Sequence, residues 1–72
     1  MAKTTIDLKG ILRIGGGLII DASTKTTIDL KELARIANSS GATIIMRNAG
    51  TKTTSDLKEI ARLAPGKVIF ED

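Results

Sequence analysis

Three near-identical segments constrain most strongly what this chain can fold into. KTTIDLK stands at residues 3–9 and again at residues 25–31, and KTTSDLK follows at residues 52–58. The segment starts are 22 and 27 residues apart. Similarity at such a period is typical of stacked supersecondary units, each unable to bury its own apolar face alone. We therefore predict that residues 1–72 form a single domain of three repeats, residues 3–24, 25–51 and 52–72.

Each repeat begins with the signal of a helix start. A threonine is the predicted N-cap, and an aspartate three residues later completes a variant of the capping box. These pairs are Thr4 with Asp7, Thr26 with Asp29, and Thr53 with Asp56. Apolar residues then recur at helical spacing, which predicts helices near residues 5–14, 27–37 and 54–64. The predicted buried positions in the second and third helices are Leu30, Leu33, Ala34 and Ala37, and Leu57, Ile60, Ala61 and Ala64.

A helix terminator and a short apolar run close each repeat. The terminators are GGG at residues 15–17, NSSG at 38–41 and PG at 65–66. The runs after them predict strands near residues 18–21, 43–47 and 67–71, and their continuous apolar character favours a parallel sheet. The predicted fold class is α/β, in the order αβαβαβ. We expect a short right-handed, solenoid-like unit with a three-stranded parallel sheet and all helices on one face.

This arrangement resembles that of the leucine-rich-repeat solenoids and related α/β repeats. The stretch IIMRNAG at residues 44–50 is similar to the strand-plus-asparagine pattern of those proteins. The similarity covers one repeat of the three, so it implies a likeness of architecture and no family membership.

In-register stacking predicts one sheet face without a helical cover. Alternation along the strands places Ile19, Ile45 and Ile69 in a row on that face, and Asp21, Arg47 and Glu71 in the next row. A bare isoleucine stripe is typical of an interaction surface, although a slip in register would instead place it in the core. The charged row is interpreted either as a cross-strand ionic ladder or as a ligand site at the carboxyl ends of the strands.

Basic residues recur on the helices and before their starts. Pairs at i,i+4 spacing form one flank of each helix: Lys9 with Arg13, Lys31 with Arg35, and Lys58 with Arg62. Glu32 and Glu59 lie on the opposite flank, where Gly10 takes their place in the first repeat. Stacking would pair basic with acidic flanks, whereas the alternative is a phosphate-binding patch. Lys3, Lys25 and Lys52 precede the helix N-termini and form a second candidate anion site.

Composition excludes several functions. The chain has no Cys and no His, so disulfides are impossible and a zinc site is not expected. We expect no metal and no cofactor, and the alternative that stays open is a Mg²⁺ site formed by Asp21, Glu71 and Asp72. No nucleophile or carboxylate pair is recognisable, and we expect no enzymatic activity.

The longest apolar runs span three or four residues, which predicts no signal peptide and no membrane span. The net charge of +3 is small and a single aromatic residue leaves little for bases to stack on, so we do not expect nucleic-acid binding. The lack of Cys favours a cytoplasmic location.

The function predicted from these features is that of a small structural or protein-interaction module. A core this small contributes little stability, and without disulfides or metals the common reinforcement is self-association. We therefore expect a homo-oligomer, with a dimer favoured, that contacts its partner through the isoleucine row. The alternative is a binder of an anionic ligand or nucleic-acid backbone through the repeated basic positions.

Overall fold

Three helices alternate with three strands in the computed structural model of the protein, which describes residues 5–71. The helices are α1 (Thr5–Arg13), α2 (Thr27–Ser40) and α3 (Thr54–Leu63), and the strands are β1 (Leu18–Asp21), β2 (Ile44–Arg47) and β3 (Val68–Phe70). One-turn 3₁₀ helices, Ala22–Thr24 and Ala49–Thr51, connect the first two strands to the helices that follow.

The strands form one parallel sheet in the order β1-β2-β3. Their register joins Leu18 to Ile44 to Val68, then Ile19 to Ile45 to Ile69, and then Ile20 to Met46 to Phe70. These are the columns that the alignment of the repeats predicts. The α/β fold class and the three-stranded parallel sheet are therefore confirmed, with each strand boundary within one residue of the prediction.

The core lies between the sheet and the three helices. Ile44 and Met46 of the central strand are completely buried, and the side chains that cover them come from all three helices. The largest fully buried side chains are Leu12, Leu30, Leu33, Ile44, Met46 and Ile60. Because α1 packs on α2 and α2 packs on α3, the helices form a single layer over one face of the sheet.

Threonine caps begin α2 and α3 as predicted. The Oγ1 atom of Thr26 accepts a hydrogen bond from the Asp29 N–H at 3.2 Å, and Thr53 Oγ1 accepts from the Asp56 N–H at 3.1 Å. The Asp56 carboxylate also contacts the preceding helix, because Thr27 Oγ1 donates to it at 3.3 Å. The predicted N-cap Thr4 lies outside the described residues.

Two local features differ from the prediction. Helix α2 continues to Ser40, three residues beyond the predicted end, because Asn38 and the two serines keep helical geometry until Gly41 adopts a left-handed conformation with φ of 81°. The 3₁₀ turns after β1 and β2 were not predicted. Each begins with a buried alanine, Ala22 or Ala49, which joins the core beneath the turn.

Ala61 is exposed, and its predicted burial is therefore wrong. Its counterpart Ala34 is fully buried because α2 has a neighbouring helix on both sides. Helix α3 is the last helix of the layer, so the flank that carries Ala61 meets no further helix among the described residues. The other three predicted positions in α3 are buried or half-buried.

Candidate functional site

The sheet face opposite the helices carries the isoleucine row. Ile19 is 59% exposed, Ile69 is 49% exposed, and Ile45 on the central strand is half-buried between them. The register places the three side chains side by side. The described chain thus presents a continuous apolar stripe to solvent on a face that no helix covers.

The charged row beside this stripe forms only part of the predicted ladder. Arg47 Nε lies 3.4 Å from Glu71 Oε1, which is one of the two expected ion pairs. The Asp21 carboxylate instead accepts from the backbone N–H of Ser23 at 2.9 Å and from its hydroxyl at 2.5 Å. The Ser23 hydroxyl, the Asn48 side chain and the Ser23 N–H together hold the pKa of Asp21 below its ordinary value. Asp21 therefore caps the 3₁₀ turn, and the expectation that it joins a three-residue ladder is wrong.

The helix flanks form the predicted inter-helix ion pairs. Lys9 on α1 contacts the Glu32 carboxylate on α2, and Lys31 Nζ lies 2.5 Å from Glu59 Oε2 on α3. The hydrogen bond from Lys9, together with its charge, holds the pKa of Glu32 below its ordinary value. Gly10, which replaces the glutamate in α1, lies on an exposed flank that faces no helix among residues 5–71.

Lys52, one of the lysines before the helix starts, contacts the segment that precedes α2. The Nζ atom of Lys52 donates a hydrogen bond to the Lys25 carbonyl at 2.7 Å, which ties the third repeat to the second. Lys25 is half-buried, and Lys3 lies outside the described residues. The position of Lys52 is thus accounted for by a contact between repeats.

Four basic side chains of the helices are exposed, namely Lys58 and the three arginines. Arg13, Arg35 and Arg62 form no ion pair with a carboxylate of residues 5–71. Two open grooves run beside them. The first, of about 360 Å³, lies between α1 and α2 and is lined by Arg13, Arg35, Ile36, Ser39 and Ser40. The second, of about 270 Å³, lies between α2 and α3 and is lined by Lys31, Arg35, Glu59, Arg62 and Leu63.

Sequence reasoning missed the two serines in the first groove. They belong to NSS at residues 38–40, which was interpreted as a helix terminator. The extra turn of α2 carries Ser39 and Ser40 beyond the point where the repeats align, and places them beside Arg13. A signal was present in the sequence, since the second repeat has more residues between helix start and strand than the other two.

Residues 5–71 contain no cluster of acidic side chains that could hold a metal ion. None of the described helices is long and apolar enough to cross a membrane. Comparison with protein-family models, with curated proteins and with solved structures finds no match to this chain.

Proposed function

We propose that this protein is a small, non-catalytic interaction module that self-associates through the exposed face of its sheet. The observation that carries the proposal is the in-register row of Ile19, Ile45 and Ile69 on the face without helices. Burial of one such side chain contributes about 1.5–3 kcal/mol. That is a large share of what a core of this size supplies.

A repeat architecture supports the same proposal. The N-cap bond recurs at Thr26 and Thr53, and the Lys-to-Glu ion pair recurs between successive helices. We interpret these recurrences as a short, solenoid-like stack of three αβ units. Such a stack contains only nearest-neighbour contacts and leaves the outer sheet face and both sheet edges open.

The interface must extend beyond the isoleucines. A standard interface buries about 800 Å² per partner, which is nearly a fifth of the 4333 Å² surface of this chain. The charged residues that border the stripe would therefore also lie in the contact. Their signs restrict how two copies can face each other.

A two-fold axis perpendicular to the strands suits these charges best. Lys67 lies in the turn before β3, two residues before Ile69, and Glu71 follows two residues after Ile69. The perpendicular axis would place Lys67 opposite Glu71 of the second copy, twice per dimer. An axis parallel to the strands would instead bring the two Arg47 side chains together, and like charges at that distance are unfavourable. We therefore favour the perpendicular, isologous dimer.

Sedimentation velocity of the purified chain tests this function. Wild-type protein is expected to sediment as a dimer, and Ile45→Lys or Ile69→Lys as a folded monomer, at both low and high ionic strength. Ile69→Lys is included because its site is more exposed, so that a charge there is less able to unfold the chain. Ile28→Lys is the matched control, since Ile28 is 70% exposed on α2 in the helical layer. A monomeric wild-type chain, or equal loss of association in the control, contradicts the proposal.

A further inference from the structure

The packing of the helices divides the basic side chains into two groups. Lys9 and Lys31 are neutralised by glutamates of the next helix, and Lys52 donates to a backbone carbonyl. Arg13 and Arg35 form no close ion pair with a carboxylate of residues 5–71, although the charge of Arg35 acts on Glu32 one turn earlier in α2, and both arginines line the groove between α1 and α2. Two arginines at one groove can bind the same anion through charge-assisted hydrogen bonds.

The dipole of its helix accounts for the position of Arg13 but not for that of Arg35. Arg13 lies in the last turn of α1, where a cation complements the negative end of the helix dipole. Arg35 lies five residues before the end of α2, beyond the reach of that effect. Carboxylates are nevertheless near it, since the charge of Arg35 helps to lower the pKa of Glu32 and Arg35 also lines the neighbouring groove with Glu59.

The remaining lining residues complete a site for a phosphate group. Ser39 and Ser40 bring hydroxyls to the groove, and Ile36 supplies an apolar surface. The Ser40 oxygen accepts a hydrogen bond from the Ala42 N–H at 3.4 Å, which leaves its own proton free for donation. A volume of about 360 Å³ falls within the usual range of small-molecule sites, about 300–1,000 Å³.

We propose that this groove binds a phosphate monoester. The guanidinium groups of Arg13 and Arg35 would each present a fork of N–H donors to the phosphate oxygens, a geometry that suits arginine better than lysine. The Ser39 hydroxyl would donate to a third oxygen. The apolar part of the ester would lie against Ile36.

The neighbouring groove between α2 and α3 provides the internal comparison. It is also lined by two arginines, Arg62 and the Arg35 that it shares with the first groove, but its lining includes Glu59 and no serine. A dianion there would meet a negative charge and lack hydroxyl donors. The serines of the first groove come from the longer α2.

The test is an NMR titration of ¹⁵N-labelled protein with phenyl phosphate. We expect saturable shifts of the Arg35, Ser39 and Ser40 signals, with a dissociation constant of about 1 mM or tighter. The double variant Arg13→Gln, Arg35→Gln is expected to weaken binding by about tenfold or more, because charge-assisted hydrogen bonds are lost. Ser39→Ala should weaken it to a smaller extent. Arg62→Gln, in the other groove, is the matched control and should leave binding unchanged.

Four further outcomes decide the assignment. Shifts that do not saturate, or equal loss in the Arg62→Gln control, would show a diffuse basic surface and overturn the proposal. Tighter binding of a single-stranded oligonucleotide than of phenyl phosphate would assign the groove to a phosphodiester backbone, which also overturns it. The Ile69→Lys variant should bind phenyl phosphate normally, because the groove lies in the helical layer, so a failure of self-association is distinguishable from a failure of this site.

Discussion

The Nζ atom of Lys31 lies 2.5 Å from Oε2 of Glu59, and Lys9 meets Glu32 in the same relation one helix earlier. Each pair joins the basic flank of one helix to the acidic flank of the next. The two pairs thus link α1, α2 and α3 at the surface of the helical layer, above the apolar contacts that bury Leu30 and Leu33.

The Lys31–Glu59 pair is expected to show a small, salt-sensitive coupling. Both side chains are partly exposed, so a double-mutant cycle with Lys31→Met and Glu59→Gln should give about 0.2–1 kcal/mol. High salt should reduce that value because it screens exposed charges. Urea denaturation of the four proteins measures it. A cycle that replaces Lys31→Met with Lys58→Met serves as control and should give no coupling, and equal coupling in both cycles would contradict a specific pair.

The Lys9–Glu32 pair predicts acid sensitivity. The pKa of Glu32 is held below its ordinary value of 4.5 by Lys9, so this carboxylate binds protons less readily in the folded chain than in the unfolded one. Its contribution is present above pH 4.5 and is lost as the pH falls through the lower, folded pKa. The urea midpoint of wild-type protein should therefore fall more steeply in acid than that of Glu32→Gln. Parallel pH profiles of the two proteins would contradict this prediction.

Gly10→Ala should stabilise the protein by about 1 kcal/mol, the difference in helix propensity between the two residues. A Cβ atom at Gly10 would have no neighbour within 4 Å. Gly16→Ala is the contrasting variant, since its Cβ would come within 2.7 Å of Ile11 Cγ2 and should destabilise the chain. Thermal unfolding measures both changes.

The same glycine predicts a weak first helix in the parent chain. Amide hydrogen exchange should therefore be faster in residues 8–13 than in residues 57–62, and equal protection of the two segments would contradict this prediction.

Reversal of two charges on the sheet face tests the orientation of the proposed dimer. Lys67→Glu and Glu71→Lys should each weaken association, because each would place like charges opposite one another across the perpendicular two-fold axis. The double variant Lys67→Glu, Glu71→Lys should restore it, since the pairs are then re-formed with opposite polarity. Sedimentation equilibrium measures the dissociation constants. A double variant that is weaker than either single variant would exclude this axis.

Much of the architecture was predictable because the chain repeats itself. Each repeat carries its own helix start and its own apolar run, so alignment of the letters also aligned Leu18 with Ile44 and Val68 in the sheet. The Lys-to-Glu pairs were predictable in the same way, since the basic flank of each helix faces the acidic flank of the next.

The exceptions lie where the three similar segments differ in length or where the helical layer ends. Ala61 occupies the same position in its helix as Ala34, but α3 is the last helix and its outer flank has no neighbour among the described residues. Of the two interpretations of the charged row, the ladder does not include Asp21, because hydrogen bonds from Ser23, which is nearer along the chain, satisfy its carboxylate.

The sequence by itself determined the order of helices and strands, the strand register and the exposed isoleucine row, because these depend on local periodicity and on its repetition. Only the tertiary structure decided which cations remain exposed and which of them meet. Arg13 and Ser39 are separated by more than twenty residues, and they share a groove only because α2 is one turn longer than its neighbours and packs against α1. Such proximity results from packing between elements, which no local pattern of residues encodes.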